Sequence, residues 1–197
     1  AARPFLSHPD VLQVVVVLPR AIAEAPPEWL ASLAGERLRL VAGGAARMDS
    51  VEAGMQALPA ACTCVLVHDG ARPFPEPSVI DAVIRRVRDG AGAIAAIPLS
   101  DTLKESDTSS PGSPAAVIRT VPRTALWRAQ TPQGFPRQLL AAAFSEARSA
   151  GFVGTDEASL VERIGGRVTL VPDVSTNLKV TTPADLRIAE AIATAAT

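Results

Sequence analysis

The chain has 197 residues, 48% of them apolar and 20% charged, with a formal net charge of −1 at pH 7. That length supports one domain with its own core, and the composition is that of a soluble globular protein. The near-zero charge argues against a general nucleic-acid binder, which needs a basic field, and no apolar run approaches the roughly 18 residues of a membrane span.

The N-terminus lacks the basic-then-apolar order of a signal peptide. Residues 1–9 read as the tail of a helix running into a turn. Val11 to Leu18 is nearly all apolar, with the run Val14-Val15-Val16-Val17, and suits a parallel strand covered on both faces. Pro26-Pro27 opens a short helix through Trp29, Leu30 and Leu33 that Gly35 closes. Arg37 to Ala42 is a second strand. Gly43-Gly44 follows, then a helix through Val51, Met55 and Leu58.

Cys62 to His68 is the third strand. Its two cysteines lie two apart, a spacing that disfavours a disulfide in an extended strand, so buried thiols in a reducing cytoplasm are expected. A helix through Ile80, Ile84 and Val87 ends at Gly90, and Ala93 to Leu99 is the fourth strand. Strand and helix alternating at this pace predict a layered α/β fold with a parallel sheet.

The pattern then breaks at the polar turn cluster Asp107-Thr108-Ser109-Ser110-Pro111-Gly112-Ser113-Pro114. Thr102–Glu105 and Val117–Val121 flank it as the two arms of a long hairpin, or as a surface insert. Pro136 to Ala150 is an amphipathic helix with Leu139, Leu140, Ala143 and Phe144 inward. Thr155 is the expected N-cap of a helix through Leu160 and Ile164. Arg167 to Val171 is a strand, and Thr182-Pro183 opens the last helix. There is no internal repeat and no interdomain linker, so residues 1–197 are read as a single domain.

The stretch Val65-Leu66-Val67-His68-Asp69-Gly70-Ala71-Arg72-Pro73 changes abruptly from apolar to charged. In an open parallel sheet, ligands sit just past the carboxyl ends of strands. A carboxylate there can hold a cation or accept from hydroxyls, Gly70 lets backbone approach a ligand, and Arg72 can clamp a phosphate. An ordinary strand exit with a surface ion pair would read the same way. Gly43-Gly44 is a tight turn, or a place where backbone amides read a base edge. Ser50 lies in the first turn of its helix and has helix-terminus duty as its simplest role.

Together with Gly43-Gly44-x-x-Arg47-x-x-Ser50-Val51, Pro98-Leu99-Ser100-Asp101-Thr102-Leu103-Lys104, Gln130-Thr131-Pro132-Gln133, Thr155-Asp156-Glu157-Ala158-Ser159 and Asn177-x-Lys179-Val180-Thr181, this stretch resembles the 2-C-methyl-D-erythritol 4-phosphate cytidylyltransferases. The resemblance covers essentially the whole chain, in the family's order. It implies a Rossmann-like, mostly parallel sheet of the nucleotide-diphospho-sugar transferase type. It also implies a projecting β-arm at residues 101–122 that interlocks two subunits into a homodimer. The implied partners are CTP and a small polyol phosphate, with no nucleic acid and no membrane, and the implied cofactor is Mg²⁺ or another divalent cation.

By resemblance, Gly43, Gly44, Arg47, Ser50 and Gly70 border the nucleotide. Asp69, Arg72, Thr102, Thr131 and Thr155 meet the phosphorylated substrate, and Asp69 helps hold the metal, whose hard oxygen preference suits a carboxylate beside phosphates. Lys179 orients the substrate phosphate, and Arg123 reaches it across the dimer. The three threonines would otherwise be strand-end or cap residues, and Arg123 a surface charge. Asp101, Asp156 and Asn177 are expected to hold these groups in place. His68 is expected to be structural rather than an acid or base.

The family opens with a strand and a loop of the type Ala-Ala-Gly-x-Gly-x-Arg followed by Pro-Lys, which wraps the triphosphate. These 197 residues contain no such stretch. The expectation is therefore a sequence short of an N-terminal segment, whose strand would be central to the sheet and whose absence opens two strand edges. Two further readings are a ribitol 5-phosphate cytidylyltransferase, which shares most of these motifs, and a non-catalytic dimerising remnant.

Overall fold

The computed structural model describes residues 1–107 and 115–195. Eight helices and eight strands alternate through most of them. Helix α1 (Ala2–Ser7) leads into β1 (Val14–Leu18), and α2 (Arg20–Glu24) and α3 (Glu28–Ala31) cross to β2 (Leu38–Ala42). Helix α4 (Arg47–Gln56) precedes β3 (Cys64–Val67), and α5 (Pro77–Arg88) precedes β4 (Gly92–Pro98). Then come β5 (Leu103–Ser106), β6 (Val117–Val121), β7 (Trp127–Pro136), α6 (Arg137–Ser149), α7 (Glu157–Arg163), β8 (Val168–Pro172) and α8 (Pro183–Ala195).

The four-stranded sheet runs β3-β7-β4-β8. Strand β7 is antiparallel to both neighbours, while β4 and β8 are parallel, so β3, β4 and β8 all point one way. The sheet is thus mostly parallel in direction, as expected. The sequence did not announce β7, because Gln130-Thr131-Pro132-Gln133-Gly134 is polar and turn-like in composition. Yet residues 130–135 are wholly buried, since the strand lies between β3 and β4. Gly134 is required there: a Cβ would come within 2.5 Å of Val83 on α5.

Strands β1 and β2 form a separate parallel pair with Val14 opposite Leu38. Among the described residues β1 pairs only with β2 and β3 only with β7. Val14 and Leu66 nevertheless meet around Phe5, Ile80 and Ile84. The main core lies on one side of the sheet, where Phe135 receives Leu140, Phe144, Leu160 and Val161 from α6 and α7. Val79, Val83 and Val87 of α5 cover the other side, against Ala93 and Ala95. They recur at helical spacing, so α5 buries one face and leaves Arg85, Arg86 and Arg88 in its last turn, where the helix dipole favours cations. Gly90 ends it at φ +89, a conformation glycine adopts without strain.

Strands β5 and β6 pair antiparallel, Leu103 opposite Val121, and stand clear of the sheet with every residue from 103 to 106 exposed. The hairpin is therefore present, while its turn at 108–114 lies outside the described residues. Three local expectations change. Asp156, not Thr155, caps α7: its side chain accepts from Ser159 N at 2.9 Å, which leaves Thr155 exposed. Lys179 sits in an irregular stretch after β8 rather than in a strand. Helix α2 was not foreseen, since Pro19 and Pro26 leave it only five residues.

Candidate active site

The chain leaves β3 at Val67 and turns at once. Arg72 N donates to Asp69 O at 2.9 Å, closing a turn over Gly70 and Ala71. Three cations then converge on the Asp69 carboxylate. Lys179 Nζ lies 2.9 Å from Oδ2, Arg72 Nε 3.8 Å from the same oxygen, and Arg47 Nη2 3.6 Å from Oδ1. They arrive from three directions: Arg47 from the first turn of α4, Arg72 from the turn itself, and Lys179 from the stretch after β8. Val180 N donates to Ala71 O at 2.8 Å, which ties that last stretch to the turn.

Arg72 is buried, and its Nη1 donates to the Asn177 carbonyl at 2.7 Å. Gln130 Nε2 donates to the same carbonyl at 3.0 Å. The Asn177 side-chain amide donates to Thr131 O at 2.8 Å and to Asp173 Oδ2 at 2.6 Å. Asn177 therefore braces Arg72, Gln130 and Thr131 behind the Asp69 cluster. Asp156 stands at one remove, where its Oδ2 accepts from Gln133 Nε2 at 2.9 Å. Asp101 is exposed beside the hairpin and away from this network.

Asp69 N donates to Thr131 Oγ1 at 3.0 Å, and that hydroxyl lies 3.0 Å from His68 Nδ1. Thr131 is thus part of the site, but its hydroxyl is engaged within the protein. Two other groups went unassigned in the sequence. Glu157, only 1% exposed, takes Arg47 in a two-pronged ion pair, with Nη2 2.9 Å from Oε2. Asp173 anchors Asn177. No periodic signal marks either, although Glu157 stands inside the Thr155–Ser159 motif.

Burial alone would raise the Asp69 pKa. The Lys179 hydrogen bond and charge, with Arg47 and Arg72, instead hold it below the usual carboxylate value. For Arg72, burial wins over Asp69 and lowers its pKa. For Arg47, burial is outweighed by Glu157 and Asp69, so its pKa rises. Burial also lowers the His68 pKa against the Arg72 carbonyl, and pushes the Cys64 thiol up to about 11, which makes it a poor nucleophile.

At the Gly43-Gly44 turn the amides are already engaged: Gly43 N donates to Leu18 O at 2.8 Å and Gly44 N to Ser50 Oγ at 3.2 Å. Base reading through these amides is therefore not what the turn offers. Its glycines let α4 start close by, since a Cβ on Gly44 would lie 2.2 Å from Asp49 Cβ. Ser50 Oγ also reaches Ala46 O at 3.2 Å, the helix-terminus duty considered from sequence. Gly70 is exposed at the mouth of the turn. Thr102, Thr155 and Arg123 stay outside the cluster: both threonines are exposed, and Arg123 donates to Ser100 O at the root of the hairpin.

Among the described residues no three or more His, Cys, Asp or Glu side chains gather into a metal site. Asp69 is one carboxylate with both oxygens facing cations. It fits Mg²⁺ only as one ligand beside phosphate oxygens, which is the usual way that ion binds with nucleotides. No described helix is long and apolar enough to cross a membrane.

The comparisons agree with one another. The family model IspD, 2-C-methyl-D-erythritol 4-phosphate cytidylyltransferase, matches residues 1–195. A protein of that name from Acidobacterium capsulatum is 41% identical over 189 residues, covering 95% of this chain and 78% of its own length. The crystal structure of the enzyme of that name from Thermus thermophilus matches with a TM-score of 0.77 at 36% identity, covering 92% of this chain and 81% of that one. The 4-diphosphocytidyl-2C-methyl-D-erythritol synthase of Anaerococcus prevotii matches with a TM-score of 0.85 at 25% identity, covering 98% and 83%.

Proposed function

This chain belongs to the 2-C-methyl-D-erythritol 4-phosphate cytidylyltransferase family, and from that premise we propose how its own residues divide the reaction. The activity is transfer of a cytidylyl group from CTP to 2-C-methyl-D-erythritol 4-phosphate with release of pyrophosphate, in non-mevalonate isoprenoid biosynthesis. The observation that carries the assignment of roles is the convergence of Lys179, Arg72 and Arg47 on Asp69 at the end of β3.

The polyol phosphate binds beside the Asp69–Arg72 turn. Its dianion takes Lys179 and Arg72 as partners, and Asp69 receives the polyol hydroxyls or shares a metal. The phosphate oxygen attacks the α-phosphorus of CTP, the bond to the β-phosphate oxygen breaks, and pyrophosphate departs with that electron pair. The attacking group is already an anion, so no general base is required. The protein's part is to hold two anions together and to neutralise the charge that builds up. Arg47, fixed by Glu157, lies on the nucleotide side with Gly43, Gly44, Ser50 and Gly70. A Mg²⁺ shared by Asp69 and the phosphates would add further charge neutralisation.

Thr102, Thr155 and Arg123 belong to this reading only if a second subunit or the substrate completes the site. Val117 and Ile118 on the arm are 60% and 58% exposed, which favours an arm that docks on a second copy. Arg123, at the arm's root, then faces the partner's phosphate. A cytoplasmic location fits the two free cysteines.

The test is CTP turnover with each of two polyol phosphates. Product from methylerythritol phosphate, with ribitol 5-phosphate used at least about tenfold less efficiently, is the expected result. A preference for ribitol 5-phosphate would overturn the substrate assignment.

A further inference from the structure

His68 stands outside the cation cluster, yet its ring reaches both ends of the turn that carries the cluster. Its Nε2 lies 3.0 Å from the Arg72 carbonyl oxygen. A carbonyl only accepts, so Nε2 bears the hydrogen and donates. In that tautomer Nδ1 is a bare acceptor. It lies 3.0 Å from the Thr131 hydroxyl, which must then donate to it. The Thr131 oxygen in turn accepts the Asp69 N–H at 3.0 Å. All three bonds run in one consistent direction: Asp69 N–H to Thr131, Thr131 O–H to His68, and His68 N–H to Arg72 O. The Phe5 ring, tilted against the imidazole at 5.0 Å between centroids, covers it.

We propose that His68 is a positioning residue for the phosphate site. Its two nitrogens set the spacing of the Asp69 and Arg72 backbones and hence the aim of the carboxylate and the guanidinium. This rests on the reading of Asp69 and Arg72 as phosphate-site residues given above. The imidazole exchanges no proton with substrate and touches none. The contrasting role is that of a filler beneath Phe5, for which any side chain of similar volume would serve. Three substitutions separate the two. His68→Asn puts an amide oxygen near the place of Nδ1 and keeps the Thr131 bond. His68→Gln puts an amide N–H near the place of Nε2 and keeps the Arg72 bond. His68→Leu keeps volume and neither bond.

The experiment measures kcat and KM for both substrates in the three variants, each in the protein expressed from its natural gene, and follows the imidazole nitrogens of the unmodified protein by ¹⁵N NMR. The chain has only two histidines, so His8→Gln assigns the signals. Expected are the Nε2–H tautomer at His68, an Nδ1 signal that moves in Thr131→Val, and a KM for the polyol phosphate raised about tenfold or more in His68→Leu. The KM for CTP should stay within about twofold, and Asn and Gln should each recover part of the loss. An Nδ1–H tautomer, or equal losses in all three variants, overturns the proposal. Should the leucine variant not fold, an unchanged polyol phosphate KM in both Asn and Gln overturns it as well. If the protein expressed from its natural gene, with His68 intact, turns over no polyol phosphate, the functional reading falls, while the tautomer and the Thr131→Val shift still judge the hydrogen-bond chain.

Discussion

Removing Arg47 should cost more than removing the charge of Glu157, and removing both should cost less than the sum. Glu157 is only 1% exposed, whereas the Arg47 side chain is 44% exposed. Arg47→Ala therefore leaves a carboxylate in the interior with its cation among the described residues gone, the situation that costs about 3–5 kcal/mol. Glu157→Gln leaves a guanidinium that can turn to water and still donate to the amide oxygen, which costs about 1–2 kcal/mol. The double variant leaves no buried charge and should lie near the glutamine variant, about 3–5 kcal/mol better than additivity, the whole cost of Arg47→Ala alone. For a domain of this size each kcal/mol moves Tm by about 2–4 °C, so melting curves resolve the difference. Denaturant midpoints at constant slope provide the check. The reasoning is refuted if Arg47→Ala is no worse than Glu157→Gln, or if the two effects simply add.

Asp69→Asn should lower turnover about tenfold or more in protein that remains folded at neutral pH; a variant that unfolds but keeps full specific activity when folded would make Asp69 structural. Because the native Asp69 pKa is lowered, its stabilising share is present above the unfolded value of about 3.9 and is lost as pH falls through the lower native value. The gap in stability between the natural protein and Asp69→Asn should therefore hold from pH 7 to 5 and close below about 4, as followed by urea unfolding. Gly134→Ala, whose Cβ would press within 2.5 Å of Val83 and 2.9 Å of Val87, should cost about 1–3 kcal/mol by thermal unfolding. Replacing residues 101–122 with a short Gly-Ser turn should give a monomer in sedimentation, and an unchanged dimer would remove the arm from the interface. In the protein expressed from its natural gene, mixing Arg123→Ala and Lys179→Ala subunits should restore one complete site per heterodimer; proven heterodimers without recovered activity would exclude a shared site.

The elements legible in the sequence were those whose neighbours are local and apolar. The valine run of β1, the three-and-four spacing of α5 and the Thr182-Pro183 start of α8 each carry their own signal. Thr182 Oγ1 accepts from Asp185 N at 3.2 Å, as an N-cap should. Strand β7 was not legible, because its burial comes from insertion between two strands distant in sequence, which no local pattern encodes. The site divides the same way. Asp69 and Arg72 were marked by the break from apolar to charged at a strand end. Glu157, Asp173 and the orientation of His68 were not, since each acts through a partner: Glu157 reaches Arg47 110 positions away, and Thr131 reaches His68 across 63. The cap of α7 fell one residue from its expected place because Thr155 and Asp156 are both good caps, and Ser159 at the third position of the helix selects Asp156.

The central claim is that Lys179, with Arg72 and Asp69, handles the polyol phosphate and not the nucleotide. Rates of pyrophosphate release against methylerythritol phosphate concentration at saturating CTP, in the protein expressed from its natural gene and in Lys179→Ala, test it most directly. Calorimetry of CTP binding accompanies both. The expected result is a loss of about a hundredfold or more in kcat/KM for the polyol phosphate, with CTP affinity within about threefold. Equal damage to CTP binding, or an unchanged kcat/KM, would contradict the claim.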